Sequence, residues 1–524
     1  MTGSAAQEPV RNGRSVKGLI RRVEAMPSLP GTYGMIDWQA RTRAYIRLVF
    51  DFEARGDFLP LAWIDRSGRN SGRPSFGLPS YVSSRTQRQD GSQEAINCVA
   101  AILSASLTDC LPALPEGIDP VASLEIFFNR DNGSGLFLDR PDTRTGGSFW
   151  YEIHPLVLLA GILDRHPDRE GLRQAFLLSA GRWLEALDRL GWPIPDFRHT
   201  AFDFAAMRPV DNGRWQEPDA AGGLAYIFLC AHVMTGSELF LQGALRCLEA
   251  LDRMTDNPHY ELLLPYGALA AARCNAWHGT SLDVARMVNW CFDGDSAVRP
   301  GWGVIAESWG EYDCHGLCGS LTDWGQRWDQ VEAASAGSVG SVDPIRSGYA
   351  FAGNTFSMVG ALLPLVRYDA RFARDLGRWV LHAASASRLF YPDAHPRVRQ
   401  SCWFWREDTE SAIAYEGLRK WWDGQSPYAT GDPIRYSWGS IDLGLYGSSY
   451  VGNLGATVRT TDVDGILALD CSITDFHGLG GPRILLVYNP HADARIARVD
   501  GIPEPVAIPP DDAVLVEAPE GRPA

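Results

Sequence analysis

The chain has 524 residues and a formal net charge of −15, with 45% hydrophobic and 21% charged residues. That balance belongs to an ordinary globular protein, while the acidity excludes a phosphate-neutralising nucleic-acid binder and disfavours docking on an anionic membrane. One core does not normally span this length, so a large domain with one or two smaller units is expected.

In chain order, Met1 to Gly18 is polar and shows no apolar core of a secretory signal, and no run of about 20 apolar residues follows anywhere. A cytoplasmic protein is therefore expected. Residues 1 to about 20 read as a disordered lead. Tyr45–Glu53 and Leu59–Ile64 look extended, giving an N-terminal unit of irregular or β character over residues 1–90. Arg66–Asp90 is loop-like in its Ser, Gly, Arg and Pro content.

From about residue 93 to 422, two helical characters alternate. Gln93–Leu111, Phe149–His166, Pro218–Gly236, Tyr260–Gly279, Tyr349–Tyr368 and Thr409–Trp422 are apolar nearly all round. Pro120–Asn129, Arg169–Leu190, Ser237–Met254, Ser281–Phe292 and Ala370–Phe390 are amphipathic. An echo joins two of the second kind, Trp183–Arg189 and Cys247–Arg253, which share Leu-Glu-Ala-Leu-Asp-Arg. Inner and outer members at a period of roughly 40–60 residues predict a closed double ring, an (α/α)6 toroid over residues 91–425. The stretch Asp293–Gly348 interrupts it. Its first half is rich in Gly, Trp and acids and reads as functional, its second (Ala333–Val342) as a flap. Beyond Trp422, alternation in Ile441–Tyr446, Gly455–Arg459, Gly465–Leu469, Arg483–Tyr488 and Ala513–Val516 predicts a small sandwich-like β domain over residues 426–524.

In such a ring the loops entering the inner helices meet at one mouth. Here those loops combine glycines, aromatics and acids. Apolar sugar faces stack on aromatic rings and their hydroxyls bond to acids, Asn and Arg; hydrolysis then needs two carboxyls flanking the scissile bond. The densest cluster is Glu307, Glu311 and Asp313, alternating with Trp309 and Tyr312 and followed by His315. Close carboxylates raise one another's proton affinity, as a general acid requires. Glu217 and Asp219, at a helix start beside Arg214 and Trp215, are the other catalytic candidates, although acids in a first turn also serve the helix dipole. Trp150, Tyr151, Glu152 and His154 open another inner helix, where a spacing of two sets Glu152 and His154 on different faces. Asn354, inside an apolar helix, needs a polar partner. Trp405 and Arg406 complete the expected sugar contacts. Ten cysteines are scattered singly and read as reduced core thiols. Cys314-His-Gly-Leu-Cys318 lacks the second ligand pair that structural zinc wants, so no metal and no cofactor is expected.

With this alternation and these loops, residues 93–516 resemble the (α/α)6-toroid carbohydrate-active enzymes, the glycoside hydrolases and polysaccharide lyases. The resemblance is architectural and brings no catalytic residues with it. It implies a glycoside hydrolase acting on an oligosaccharide through two carboxylates. The alternative is a lyase on a uronate-containing glycan, with Tyr312, His315 or His154 as base and Asn354, Arg214 or Arg406 neutralising the uronate. More distant are a non-catalytic glycan binder and a dehydratase or isomerase. The expected partner is the sugar alone, with a homo-oligomer left open.

Overall fold

The computed structural model describes residues 15–84, 88–320, 348–420, 428–429 and 441–519. Its α-helices of six or more residues are α1 (Trp38–Val49), α2 (Ala95–Leu107), α3 (Phe149–Arg165), α4 (Glu170–Leu190), α5 (Ala220–Thr235), α6 (Glu238–Asp252), α7 (Leu263–His278), α8 (Val284–Asp293), α9 (Ala352–Leu362), α10 (Ala373–Ala386) and α11 (Gly452–Thr457). Six of the sheathed helices belong together: α2, α3, α5, α7, α9 and α11. Each packs on the next in that order, and α11 returns to pack on α2. The inner ring is therefore closed. Around it lie α1, the 3-10 turn Ala122–Phe127, α4, α6, α8 and α10. The molecule is mainly α, an (α/α)6 toroid carrying a small C-terminal β unit.

Local sequence accounts for both rings. Along α4 the buried residues Leu172, Ala175, Phe176, Ser179, Ala180, Trp183, Ala186, Leu187 and Leu190 fall three and four apart on one face. The repeated hexapeptide lies at the C-terminal ends of α4 and α6, both outer helices. Inner helices approach more closely. A Cβ at Gly222 in α5 would lie 2.7 Å from the Leu263 carbonyl and 2.9 Å from Gly267 Cα in α7, so only glycine allows that contact.

Three expectations are corrected here. Tyr45–Glu53 is not extended; most of it belongs to α1, capped by Asp37, which accepts from Ala40 N (2.9 Å). Thr409–Trp422 is not the sixth inner helix; within its described part, residues 409–416 are irregular and 417–419 form a strand. The sixth inner position is taken by the short α11, from a stretch read as a strand, and its outer partner is α1. The two ends of the chain thus make the last hairpin. Residues 15–20 are not a free lead either: Ile20 is fully buried and its N–H donates to Asp375 (2.7 Å). The expected flap at Ala333–Val342 lies outside the described residues, as do residues 1–14.

At the mouth, β1 (Trp302–Val304), β4 (Cys318–Ser320), β5 (Tyr349–Phe351), β6 (Gly417–Arg419) and β7 (Tyr428–Ala429) form an antiparallel sheet in the order β7-β6-β5-β4-β1; between β1 and β4 a hairpin pairs β2 (Ser308–Trp309) with β3 (Tyr312–Asp313). The C-terminal unit is a four-stranded sheet of β8 (Val458–Thr460), β9 (Leu467–Asp470), β10 (Arg483–Asn489) and β13 (Asp512–Ala518), with a ribbon of β11 (Arg495–Ala497) and β12 (Val506–Ile508). One face of this sheet covers α10, where Gly377 meets Leu486 and Tyr488; the other shares a small apolar cluster with the ribbon. That covering explains why α10 is buried all round despite its charges. Arg374 satisfies itself on Asp375 (2.8 Å), Asp511 (2.7 Å) and Glu24. Beneath the ring, Arg273 of α7 and Asp475 form a fully buried pair at 2.6 Å, with Arg367 and the Tyr368 hydroxyl (2.7 Å) on the same carboxylate.

Candidate functional site at the mouth of the ring

The inner helices α2, α3, α5, α7 and α9 start at the mouth, so their first N–H groups need acceptors there. Neighbouring hairpins supply them. Asp139 takes the Ala95 N–H on its carbonyl (2.7 Å) and the Ile96 N–H on its carboxyl (3.1 Å), capping α2. Glu217 accepts from Trp150 N (2.7 Å) at the start of α3. Asp219 accepts from Tyr260 N (3.2 Å) and Glu261 N (2.9 Å) in the turn entering α7. A belt of buried carboxyls ties the helix ends together.

Two acids in this belt are saturated. Glu217 also accepts from Ser148 Oγ (2.8 Å) and Trp215 Nε1 (2.8 Å), and is wholly buried. Glu152 accepts from the N–H groups of Gly146 (2.6 Å), Gly147 (3.3 Å) and Phe202 (3.1 Å). Burial pushes Glu152 and Glu217 up to about 8 and Asp219 up to about 7, against the opposing pull of these hydrogen bonds. Their geometry makes them positioning groups for the loops around them.

A cavity of 440 Å³ opens between the starts of α2, α3 and α5. It is lined by Glu94, Asp139, Arg140, Arg144, Tyr151 and Trp215, among others. Glu94 accepts from Ser80 Oγ and from Arg140 (2.6 Å). Beside it, burial and then the Glu94 charge raise Asp139 well above the usual carboxylate range. Tyr151 is 45% exposed, although it stands inside the ring with Glu94, Asp139, Glu217 and Glu261 around it. Its exposure is therefore to the mouth. Burial and those four carboxylates keep its phenol protonated, and its hydroxyl makes no hydrogen bond among the described residues. Across the ring, two residues before α7, Glu261 is held by Arg299 and by Asn354 Nδ2 (2.6 Å). Since α2 and α7 are the first and fourth of six inner helices, Glu94 and Glu261 face each other across the mouth. Between them on the remaining side, Glu416 accepts from Tyr81 OH (2.8 Å) and Tyr349 OH (3.1 Å).

The structure disperses the cluster that the sequence favoured. Glu307 pairs with Lys420 (2.8 Å) and accepts from Trp309 Nε1 (2.9 Å). Glu311 pairs with Arg399 (2.5 Å) on the surface. Asp313 accepts from Gly31 N (2.6 Å) and from His315 Nδ1 (2.6 Å). Burial opposes ionisation of Asp313, but the His315 hydrogen bond and charge prevail and hold its carboxyl well below the usual range. That is the opposite of a general acid. Trp309 is buried in its own hairpin, and Tyr312 receives Arg399 on its hydroxyl (2.8 Å). His154 is wholly buried, stacked on Trp150 (4.1 Å between centroids) and bonded to Tyr450 OH (3.0 Å); burial lowers it to about 3. Trp405 donates to Asp57 O (2.9 Å), while Arg406 and Arg214 are exposed. Of the expected residues, the mouth gathers Tyr151, Glu152, Glu217, Trp215 and Asn354. Sequence reading missed Glu94, Asp139, Arg140, Glu261, Arg299 and Glu416. The available signal was position: Glu94 lies one residue and Glu261 two residues before an inner helix.

Ring and mouth together define an (α/α)6 toroid with a carboxylate-lined opening. Among solved structures the chain is similar to a metagenome-derived glycoside hydrolase family 9 endoglucanase, at 12% identity and a TM-score of 0.43 over 80% of each chain. It is similar to the cellobiose 2-epimerase from Spirochaeta thermophila DSM 6192, at 14% identity and a TM-score of 0.40 over 80% of this chain and 96% of that one. A wild-type glycosidase matches at 13% identity and a TM-score of 0.30, over 69% and 96%. No family model and no curated protein matches the chain. Among the described residues no helix is long and apolar enough to cross a membrane, and no group of His, Cys, Asp and Glu has the arrangement of a metal site.

Proposed function

We propose that the protein is a glycoside hydrolase acting on an oligosaccharide bound at the mouth of the ring. The observation that carries this reading is the 440 Å³ cavity, where two adjacent carboxyl groups, a protonated phenol, a guanidinium and an indole converge. Its size lies within the range of about 300–1,000 Å³ usual for small-ligand sites. Asp139, with its raised proton affinity, is the general acid that protonates the glycosidic oxygen as the bond to the anomeric carbon breaks. Glu261, ion-paired across the mouth, is the second carboxylate, acting on the opposite face of the sugar. Arg140 holds Glu94 beside Asp139, where burial and then the Glu94 charge keep the proton on Asp139. The lyase reading loses support because Tyr312 and His315 are occupied by Arg399 and Asp313 away from this cavity.

Product analysis on graded neutral and uronate-containing oligosaccharides tests the assignment. Wild type releases new reducing ends, and Asp139→Asn and Glu261→Gln each lose at least about 100-fold of that rate, the lower end of acid–base contributions. Unchanged turnover in both variants would sink the carboxylate assignment. An ultraviolet-absorbing unsaturated uronate would replace hydrolysis by elimination.

A further inference from the structure

A second cavity, of 390 Å³, lies beside the first and is lined by Asp211, Gly213, Arg214, Trp215, Gln216, Ala297 and Val298. Trp215 is the one residue that lines both. Its indole is fixed as a partition. Nε1 donates to Glu217 (2.8 Å), its backbone N–H to Asn212 Oδ1 (3.1 Å), and its carbonyl accepts from Thr200 Oγ1 (2.7 Å). The outer cavity has the mixed walls that suit a sugar: an indole with Ala297 and Val298 for the apolar faces of the ring, and Gln216, Arg214 and Asp211 for its hydroxyls. Asp211 is steadied by His199 Nδ1 at 3.0 Å.

We infer that the outer cavity is a second sugar subsite, and that the substrate is a chain of at least two units bent over Trp215, with only the inner unit reaching Asp139. This rests on the proposed hydrolase reading and adds the substrate's length and path. The two chambers differ in a way that assigns the ends. Carboxyl groups gather in the inner one, whereas the outer one holds a single paired acid and no carboxyl next to Asp211 among its lining residues. The outer subsite therefore binds and does not cleave.

Calorimetric titration tests this with gluco-, manno-, galacto- and xylo-oligosaccharides of one to four units. For the sugar type that binds, the four-unit chain should bind wild type at least about tenfold more tightly than the single unit, equivalent to about 1.4 kcal/mol. Ala297→Trp, which fills the outer cavity, and Gln216→Ala, which removes a polar contact, should each reduce that chain-length ratio to within about threefold. A ratio that stays the same in both variants would overturn the second subsite. So would equal binding of short and long chains by wild type, and in either case continued hydrolysis of short substrates would leave the hydrolase reading standing. Failure of every sugar to bind at any length would remove both readings together.

Discussion

Replacing Glu152 by glutamine sets two large electrostatic effects against each other. Burial disfavours the carboxylate, whereas three backbone N–H donors from Gly146, Gly147 and Phe202 favour it. Burial wins, with the group raised from 4.5 to about 8. Glu152 thus holds its proton more tightly folded than unfolded. The stability this brings is whole below pH about 4.5 and is lost as pH rises through about 8. At about 1.4 kcal/mol per pH unit the full loss is about 5 kcal/mol, an order-of-magnitude ceiling. A ring melting as one unit has an unfolding entropy near 1.1 kcal/mol/K, from about 2.1 cal/mol/K per residue. The slope is then about 1 °C of Tm per pH unit. Glu152→Gln cannot titrate, and its amide faces one of the N–H donors, a roughly constant cost of about 1–3 kcal/mol. Melting both proteins from pH 5 to pH 8.5 and subtracting the curves cancels every other group. The difference should favour wild type by about 1–3 °C at pH 5 and shift by about 3–4 °C toward the variant by pH 8.5, erasing or reversing it. A difference independent of pH would mean that the three N–H donors outweigh burial, and the same reasoning for Glu217 would fall with it.

Three further outcomes are expected. Tyr151→Phe should leave stability within about 0.5 kcal/mol of wild type, since the hydroxyl has no partner among the described residues, yet lower turnover at least about tenfold by removing a donor to the substrate; steady-state kinetics beside a melt decides it. Asp475→Ala strands the fully buried Arg273, together with Arg367, and should cost about 3–5 kcal/mol. Thermal denaturation showing less than about 1 kcal/mol would mean that the guanidinium finds water or another acceptor. In α11, Gly452→Val drives a side chain into Ser104, whose Cα lies 2.3 Å from the added Cβ. Limited proteolysis should then cut wild-type-resistant sites in α1 and α11, with a stability loss of about 1–3 kcal/mol.

Five of the six inner helices were legible because a helix buried on most sides favours a largely apolar sequence, and α2, α3, α5, α7 and α9 have one. The sixth was not. Six residues with two glycines, running straight into β8, carry no helical period. For α1 the signal existed: Trp38, Tyr45, Ile46 and Val49 fall on one face behind the Asp37 cap, but Tyr45-Ile-Arg-Leu-Val also fits a strand. At the site, aromatic density misled. Trp309 and Tyr312 attracted attention to their loop, yet they bury themselves in its hairpin core. Asp139 and Glu261 stand in unremarked sequence and acquire their meaning from the ring, which sets residues over a hundred positions apart around one opening. Glu152 lies in a first turn and Asp219 at an N-cap, but whether such a group caps or faces the mouth depends on which neighbouring N–H reaches it.

Because α1 and α11 make the closing hairpin, the ring has a seam that joins residues 38–49 to residues 452–457. During synthesis α1 emerges early and has only its contact with α2 until more than four hundred further residues have brought α11. Until then the growing chain is an open arc, with the flanks of α2 and α9 bare where α11 belongs. Long-range closure of this kind is slow and leaves apolar surface uncovered while it waits. The last helix to arrive is also the shortest and the richest in glycine, shaped to slip into a gap already framed on both sides. Closure of the ring thus waits on residues 452–457, so a fragment truncated before residue 452 should expose its inner helices.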